Sequence, residues 1–297
     1  MNPITKIFTA LRVLAGHPVN RNRKLRAVLE YGFIQAAARL VPGDLCLEFP
    51  NQTRVLISPR MKGAAHYISP RLCEFEEMSL VMHFLRPDEL FADVGANVGS
   101  FGVMAAGVAG ARVVAFEPSP EVYAMLVRNV RINAFQDRFR PVNAAVGRSV
   151  GTLRFSTGLG TENHVSTPAE ADQAVAIPMT SLDAEFATTP PVLLKVDVEG
   201  FESEVFAGAE QTLGNPVLQA VIVERNQSGN RYGYDEGKLH GQIRAHGFTP
   251  CFYHPLERKL ESVGPDACGN IIYVRDFQAA GTRLRTAAPY QLGDLRV

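Results

Sequence analysis

Leu90-Phe91-Ala92-Asp93-Val94-Gly95-Ala96-Asn97-Val98-Gly99-Ser100-Phe101 reads as an apolar strand ending in a carboxylate, a turn bearing Gly95 and Gly99, and the start of a helix. Open α/β sheets build their ligand pockets at such junctions, beyond the carboxyl ends of the strands. A second apolar run, Arg112-Val113-Val114-Ala115-Phe116, ends in Glu117, where a ribose diol would be read. Ser119 then caps the next helix and Pro120 takes its first position. Asn97 stands where a dinucleotide fingerprint would have its second glycine, and Ser100 where it would have its third. The close approach to a pyrophosphate is therefore not provided for. Asparagine tolerates the left-handed backbone of a tight turn, so the segment suits an uncharged adenosyl group with an amino-acid tail.

Outward from this segment the chain alternates apolar runs with helical stretches, the sign of a parallel sheet with crossover helices. Strands are predicted at 90–94, 112–116, 140–145, 192–198 and 219–224, and helices at 100–109, 120–133, 201–213 and 235–246. The strands end in Asp93, Glu117, Asn143, the pair Asp197 and Glu199, and Glu224. Five polar ends in register at one sheet edge predict a cleft. In Leu193 to Gly200, Lys195, Asp197 and Glu199 share one face of a strand that burial would make apolar on both sides, which predicts a paired charge network facing that cleft. Residues 151–189 read as strands around a polar loop that contains His164, and 249–253 with 270–274 as an antiparallel edge to the same sheet.

The 297 residues suffice for one large α/β domain with an appendage. The expected division is a helical and β-hairpin extension over 1–85, a cofactor domain over 86–280 and a C-terminal tail over 281–297. Thirty basic and thirty acidic residues cancel, so no field draws the chain to nucleic acid. Cys46, Cys73, Cys251 and Cys268 lie far apart without metal-ligand spacing, as for free thiols in the cytoplasm. Residues 1–41 are the one strongly basic stretch, with Lys6, Arg12, Arg21, Arg23, Lys24, Arg26 and Arg39 against Glu30. No signal peptide or integral membrane segment is read there. Ile4, Ile7, Phe8, Leu11 and Leu14 fall at helical spacing, which predicts packing on the protein, with weak peripheral membrane contact as the alternative.

Asp93 to Gly99 (DVGANVG), Ala115 to Pro120 (AFEPSP) with Asn129 and Asn133 downstream, Leu182-Asp183, and Leu194 to Glu202 (LKVDVEGFE) followed by Gly208-Ala209 occur in this order. With these motifs the chain resembles the FkbM family of S-adenosylmethionine-dependent methyltransferases over roughly residues 73 to 275. The resemblance implies an α/β class I methyltransferase fold, Rossmann-like, with a mostly parallel seven-stranded sheet, helices on both faces and an antiparallel last strand. It implies S-adenosyl-L-methionine as cofactor. Asp93, Gly95, Asn97 and Gly99 would hold the methionine part, Glu117 the ribose with Ser119 on the same wall, and Asn143 would lie beside the adenine. Asp197 would stand near the methionine amino group and the acceptor. Family members mostly methylate hydroxyls on sugars or secondary metabolites, so O-methylation of a small-molecule or glycan acceptor is expected.

A hydroxyl acceptor loses a proton as it attacks, and the candidate bases are Asp197, Glu199 and His164. Asp197 and Glu199, with Glu224 or Asn226, could instead hold a divalent cation, but nothing in the spacing fixes a ligand geometry and no metal site is assigned. Acceptor choice is expected from residues 43–72, the loop 156–173 and Asn226 to Tyr234. Two further classes share these residues. A nicotinamide-dependent oxidoreductase would use the same sheet, but Asn97 and Ser100 break its fingerprint, and a non-catalytic adenosylmethionine-binding protein would use every binding residue.

Overall fold

The computed structural model describes residues 12, 14, 16–21, 23–40, 43–58, 72, 74–156, 163–167, 174–264, 267–292 and 294–297. An N-terminal helix α1 (Lys24–Leu40) precedes the hairpin of β1 (Leu45–Glu48) and β2 (Arg54–Ile57), then helix α2 (Phe75–Phe84). The central alternation is β3 (Leu90–Val94), α3 (Ser100–Gly107), β4 (Arg112–Phe116), α4 (Pro120–Ile132) and β5 (Phe139–Val142). It continues, after an inserted small sheet of β6 (Ala145–Val146), β7 (Gly151–Phe155) and β8 (Val175–Thr180), with α5 (Leu182–Glu185) and β9 (Leu193–Val196). Then come α6 (Glu202–Ala207), α7 (Glu210–Gly214), β10 (Ala220–Arg225), α8 (Glu236–Ala245), β11 (Thr249–His254), β12 (Lys259–Ser262), β13 (Gly269–Val274) and α9 (Phe277–Arg285). A short terminal pair, β14 (Gln291–Leu292) and β15 (Leu295–Arg296), ends the chain.

The main sheet has the order β12-β11-β13-β10-β9-β3-β4-β5. Strands β5, β4, β3, β9 and β10 run parallel, β13 is antiparallel to β10, and β11 is antiparallel to β13. This is the mostly parallel α/β sheet implied by the motifs, with one correction: it has eight strands, not seven. The eighth, β12, returns from β11 through the turn at Pro255–Arg258, and its exposed Lys259, Glu261 and Ser262 flank a single buried Leu260, too little apolar pattern to announce a strand. The predicted pair 249–253 and 270–274 is present as β11 and β13, antiparallel to each other on this side of the sheet, with β13 between β10 and β11. At the opposite edge β5 carries Pro141, which an edge strand tolerates.

The alternation of side chains splits the core into two layers, one on each face of the sheet. On one face Phe91, Val113, Ala115, Leu193, Ile222 and Ile272 meet α2, α3, α4 and α9. On the other, Leu90, Val94, Val114, Leu194, Val196 and Val221 meet Leu182, Val205, Phe206, Leu213, Leu239 and Ile243. The first layer also buries Leu47, Phe49, Val55 and Ile57 of the hairpin, and Leu284, Tyr290, Leu292 and Val297 near the C-terminus. The hairpin and α2 of the expected extension, and the described part of the tail, are thus built into the main core. Residues 281–297 fold back because Tyr290 bonds to Ser79 on α2 (2.5 Å) and exchanges backbone hydrogen bonds with Val297. Of the predicted N-terminal stripe only Leu14 lies within the described residues, and it is buried. Ile4, Ile7, Phe8 and Leu11 lie outside them, as does Cys73.

Two element predictions needed revision. Helix 201–213 is two helices, α6 and α7, broken at Gly208, whose missing side chain lets it pack on the Gly147 carbonyl. Strand 140–145 stops at Val142, and Ala145 and Val146 pair with β8 in the inserted sheet.

Candidate active site

A cavity of about 340 Å³ opens beyond the carboxyl ends of β3, β4, β9 and β10, a size suited to a small cofactor. The β3–α3 turn forms one side. Gly95 has φ 81°, and a Cβ there would lie 1.8 Å from the carbonyl oxygen of Asp197. Its glycine is therefore required by the close approach of β3 to the end of β9, and not by a phosphate. The amides of Gly95 and Ala96 donate to the Phe116 carbonyl (3.1 and 2.9 Å), which ties the turn to β4. Asn97 follows with φ 53°, and its side-chain oxygen accepts from the Val98 amide at 2.8 Å. Glu117 locks the assembly: Oε2 accepts from the Asn97 amide (2.9 Å) and Oε1 from the Ser119 amide (2.8 Å). Each carboxylate oxygen keeps a further lone pair, and Glu117 lines the cavity. Burial pushes its carboxyl up to about 7, against the pull of those two amides.

The floor is a charge cluster around one lysine. Register between β3 and β9 sets Asp93 beside Lys195. Lys195 is 3 % exposed, donates to Asp197 Oδ2 at 2.7 Å and lies 4.7 Å from the centre of the Phe101 ring. Burial alone would lower its ammonium, but Asp197, Glu74 and Asp93 together hold it above its ordinary value. Asp93 is 1 % exposed, and neither carboxylate oxygen has a hydrogen bond of normal geometry, although the Gly102 amide offsets part of its charge. Desolvation pushes it up to about 7, with Lys195 opposing. Glu74, at the N-cap position of α2, reaches the cavity wall and accepts from Asn270 Nδ2 (3.1 Å), and burial raises its carboxyl above the ordinary range. Glu224 on β10 completes the ring, pushed up to about 8 by burial and by Asp197 and Glu199. Beneath it Glu202 Oε1 accepts from the Val198 and Gly200 amides (3.0 and 3.2 Å), bracing a turn in which Glu199 has φ 55°. One buried ammonium amid this many carboxyls leaves a cavity that favours a cationic ligand.

A family model described as the methyltransferase FkbM domain matches residues 93–250, more than half of the chain. The chain belongs to the FkbM methyltransferase family. A curated relative, the 31-O-demethyl-FK506 methyltransferase FkbM of Streptomyces tacrolimicus, is 27% identical over 198 residues, 56% of this chain and 74% of that protein. Among solved structures the chain is similar to the precorrin-6y C5,15-methyltransferase of Geobacter metallireducens, at 14% identity and TM-score 0.38, covering 68% of this chain and 87% of that one. It is also similar to P. horikoshii TYW2 in complex with MeSAdo, at 12% identity and TM-score 0.40, covering 78% and 72%.

Within this FkbM domain the predicted site residues separate into two sets. Gly95, Asn97, Glu117, Asp197, Glu199 and Glu224 line the cavity together. Asp93, Gly99, Ser119, Asn143 and His164 do not. Asp93 lies under the floor. Gly99 makes room for Leu126, since a Cβ there would meet its Cδ1 at 2.2 Å. Ser119 caps α4, accepting from the Val122 amide, and Asn143 donates to the Glu117 and Pro118 carbonyls (2.8 and 3.1 Å), so both shape the loop that carries Glu117. His164 is buried, its amide donating to Ser156 Oγ at 2.8 Å, while its neighbours Asn163 and Val165 reach the cavity. Sequence reasoning missed Glu74 and Asn270. Glu74 precedes the family-matched stretch, and Asn270 lies at the start of β13, which runs antiparallel to β10 and so starts, where the parallel strands end, at the cavity edge. It also missed Phe201, which lines the cavity and stacks edge-on with Tyr232 and Tyr234 (centroids 5.7 and 6.4 Å). Tyr232 donates to the Val165 carbonyl at 2.6 Å, joining the predicted acceptor segment to the inserted sheet. Among the described residues no group of three or more His, Cys, Asp or Glu is arranged to hold a metal ion.

Proposed function

We propose that this protein uses S-adenosyl-L-methionine to methylate a hydroxyl on a sugar, glycan or secondary-metabolite acceptor. The observation that carries the reading is the pairing of Glu117, held by two loop amides yet open to the cavity, with an acidic floor one strand away. Glu117 is placed to accept from two ribose hydroxyls, and Phe116, Val122 and Ala144 to Val146 give an apolar wall for a base. Glu74, Asp93 and Asp197 supply the negative field that a sulfonium and an α-ammonium need, and Lys195 is the cation for a carboxylate. When bound, the cofactor supplies an already activated methyl group, so the chain's task is alignment and exclusion of water. Asp197 and Glu199 are the proposed acceptors of the hydroxyl proton. Asp197 is oriented by Lys195, and Glu199 is fixed at the tip of the turn that Glu202 braces. The acceptor would lie against Phe201, Asn163 and Val165, an aromatic and amide-bearing wall suited to a polyhydroxylated molecule. The free thiols of Cys46, which is exposed, and Cys251, which is buried, support a reducing, cytoplasmic setting.

The test combines calorimetry with S-adenosylhomocysteine and transfer of labelled methyl to fractionated glycans and small molecules. Asp197→Asn is expected to weaken cofactor binding more than Glu199→Gln, and both to lower turnover. Full activity in either variant removes that residue from the mechanism, and absence of cofactor binding by the parent protein removes the reading altogether.

A further inference from the structure

Helix α1 leaves its large apolar side chains in the open: Leu25 is 74% exposed, Leu29 65%, Phe33 75% and Leu40 81%. At about 100° of rotation per residue these four, together with the exposed Ala36, fall within an arc of about 80°. The face that meets the rest of the protein is a different one. Ala27 is buried and Tyr31 packs against the core, both about 160° around the helix from the middle of that arc. The stripe is thus a second apolar face. Arg26 borders it and Arg21 precedes the helix, both exposed, and between Arg21 and Leu40 the bases Arg21, Arg23, Lys24, Arg26 and Arg39 stand against the single acid Glu30, which Arg26 engages at 2.9 Å.

We infer that α1 lies on the surface of an anionic phospholipid bilayer, with Leu25, Leu29, Phe33 and Leu40 entering the acyl boundary and Arg26, which borders the stripe, and Arg21, just before the helix, meeting lipid phosphates. Charge selects this occupant. A second copy of the chain would bring the same bases face to face across the contact, whereas anionic headgroups neutralise them. No helix among the described residues is long and apolar enough to cross a membrane, so the contact is one of lying on the surface and not of spanning.

The test is co-sedimentation of the full chain with large unilamellar vesicles, either phosphatidylcholine alone or equal parts phosphatidylcholine and phosphatidylglycerol. Binding is expected to the mixed vesicles and to fall steeply with added salt. A Leu29→Glu, Phe33→Glu double variant is expected to bind at least about tenfold more weakly, with an unchanged thermal midpoint and unchanged elution volume in size exclusion. Four results overturn the inference. The parent fails to sediment with the mixed vesicles, or the variant sediments equally well. The parent elutes as a dimer that the substitutions dissociate, which assigns the stripe to a second copy. The substitutions lower the thermal midpoint, which assigns it to another part of this chain.

Discussion

Glu117 shows how one side chain serves both fold and ligand. Its oxygens hold the amides of Asn97 and Ser119, so the carboxylate fixes the two loops that flank the cavity before any ligand arrives. Glu117→Gln keeps the shape but turns one acceptor into a donor facing an N–H. A loss of about tenfold or more in S-adenosylhomocysteine affinity is expected, measured by calorimetry, together with a lower thermal midpoint of the free protein. Glu117 and Asp197 were legible in the sequence because each ends an apolar run, and strand ends of a parallel sheet converge on one edge. Glu74 was not legible. It is brought to Lys195 by the packing of α2 against the sheet, a contact distant in the chain and unmarked by any local pattern. His164 failed in the other direction: a polar loop suggested access, but the loop's backbone closes on Ser156 and turns the neighbours of His164 to the cavity instead.

At the scale of elements, α4 holds the hairpin by imitating a strand. Asn129 accepts from the Leu56 amide (2.6 Å) and donates to its carbonyl (3.0 Å), and Asn133, one helical turn on, does the same with Arg54 (2.8 and 2.7 Å). Residues four apart on a helix match residues two apart on a strand closely enough for both amides to pair. Asn129 is fully buried and donates also to the Val98 carbonyl at 2.8 Å, so the same side chain joins hairpin, helix and cofactor turn. Asn129→Ala leaves these backbone groups unpaired and is expected to cost about 2–4 kcal/mol in urea unfolding, while Asn133→Ala, at a more exposed position, costs less. The alternation of strand and helix from Leu90 to Ala245 was readable because its periods are local. The break at Gly208 and the early end of β5 were not, since each depends on what the chain meets from elsewhere: the Gly147 carbonyl in one case and β8 in the other.

For the molecule as a whole, burial raises carboxyls at and beneath the cavity: Asp93, Glu117 and Glu202 to about 7 and Glu224 to about 8. A carboxyl raised in the folded state keeps its proton where the unfolded chain has already lost it. Its stabilising contribution is complete below about pH 4 and is lost as pH rises through 7 to 8. The thermal midpoint of the ligand-free protein is therefore expected to fall by several degrees between about pH 5 and about pH 8. Asp93→Asn is expected to flatten that fall and raise the midpoint at the alkaline end, and a midpoint that climbs over this range contradicts the charge assignment. Fold and cavity are in this sense opposed, with a site built for a cation strained when it has none. The two ends of the main sheet carry a different consequence. β5 ends the sheet with Pro141, a residue that has no N–H to offer, and β12 ends it with the charged Lys259 and Glu261. Neither border accepts a further strand readily, so concentrated solutions of this protein are guarded against fibre growth by lateral addition of neighbouring molecules.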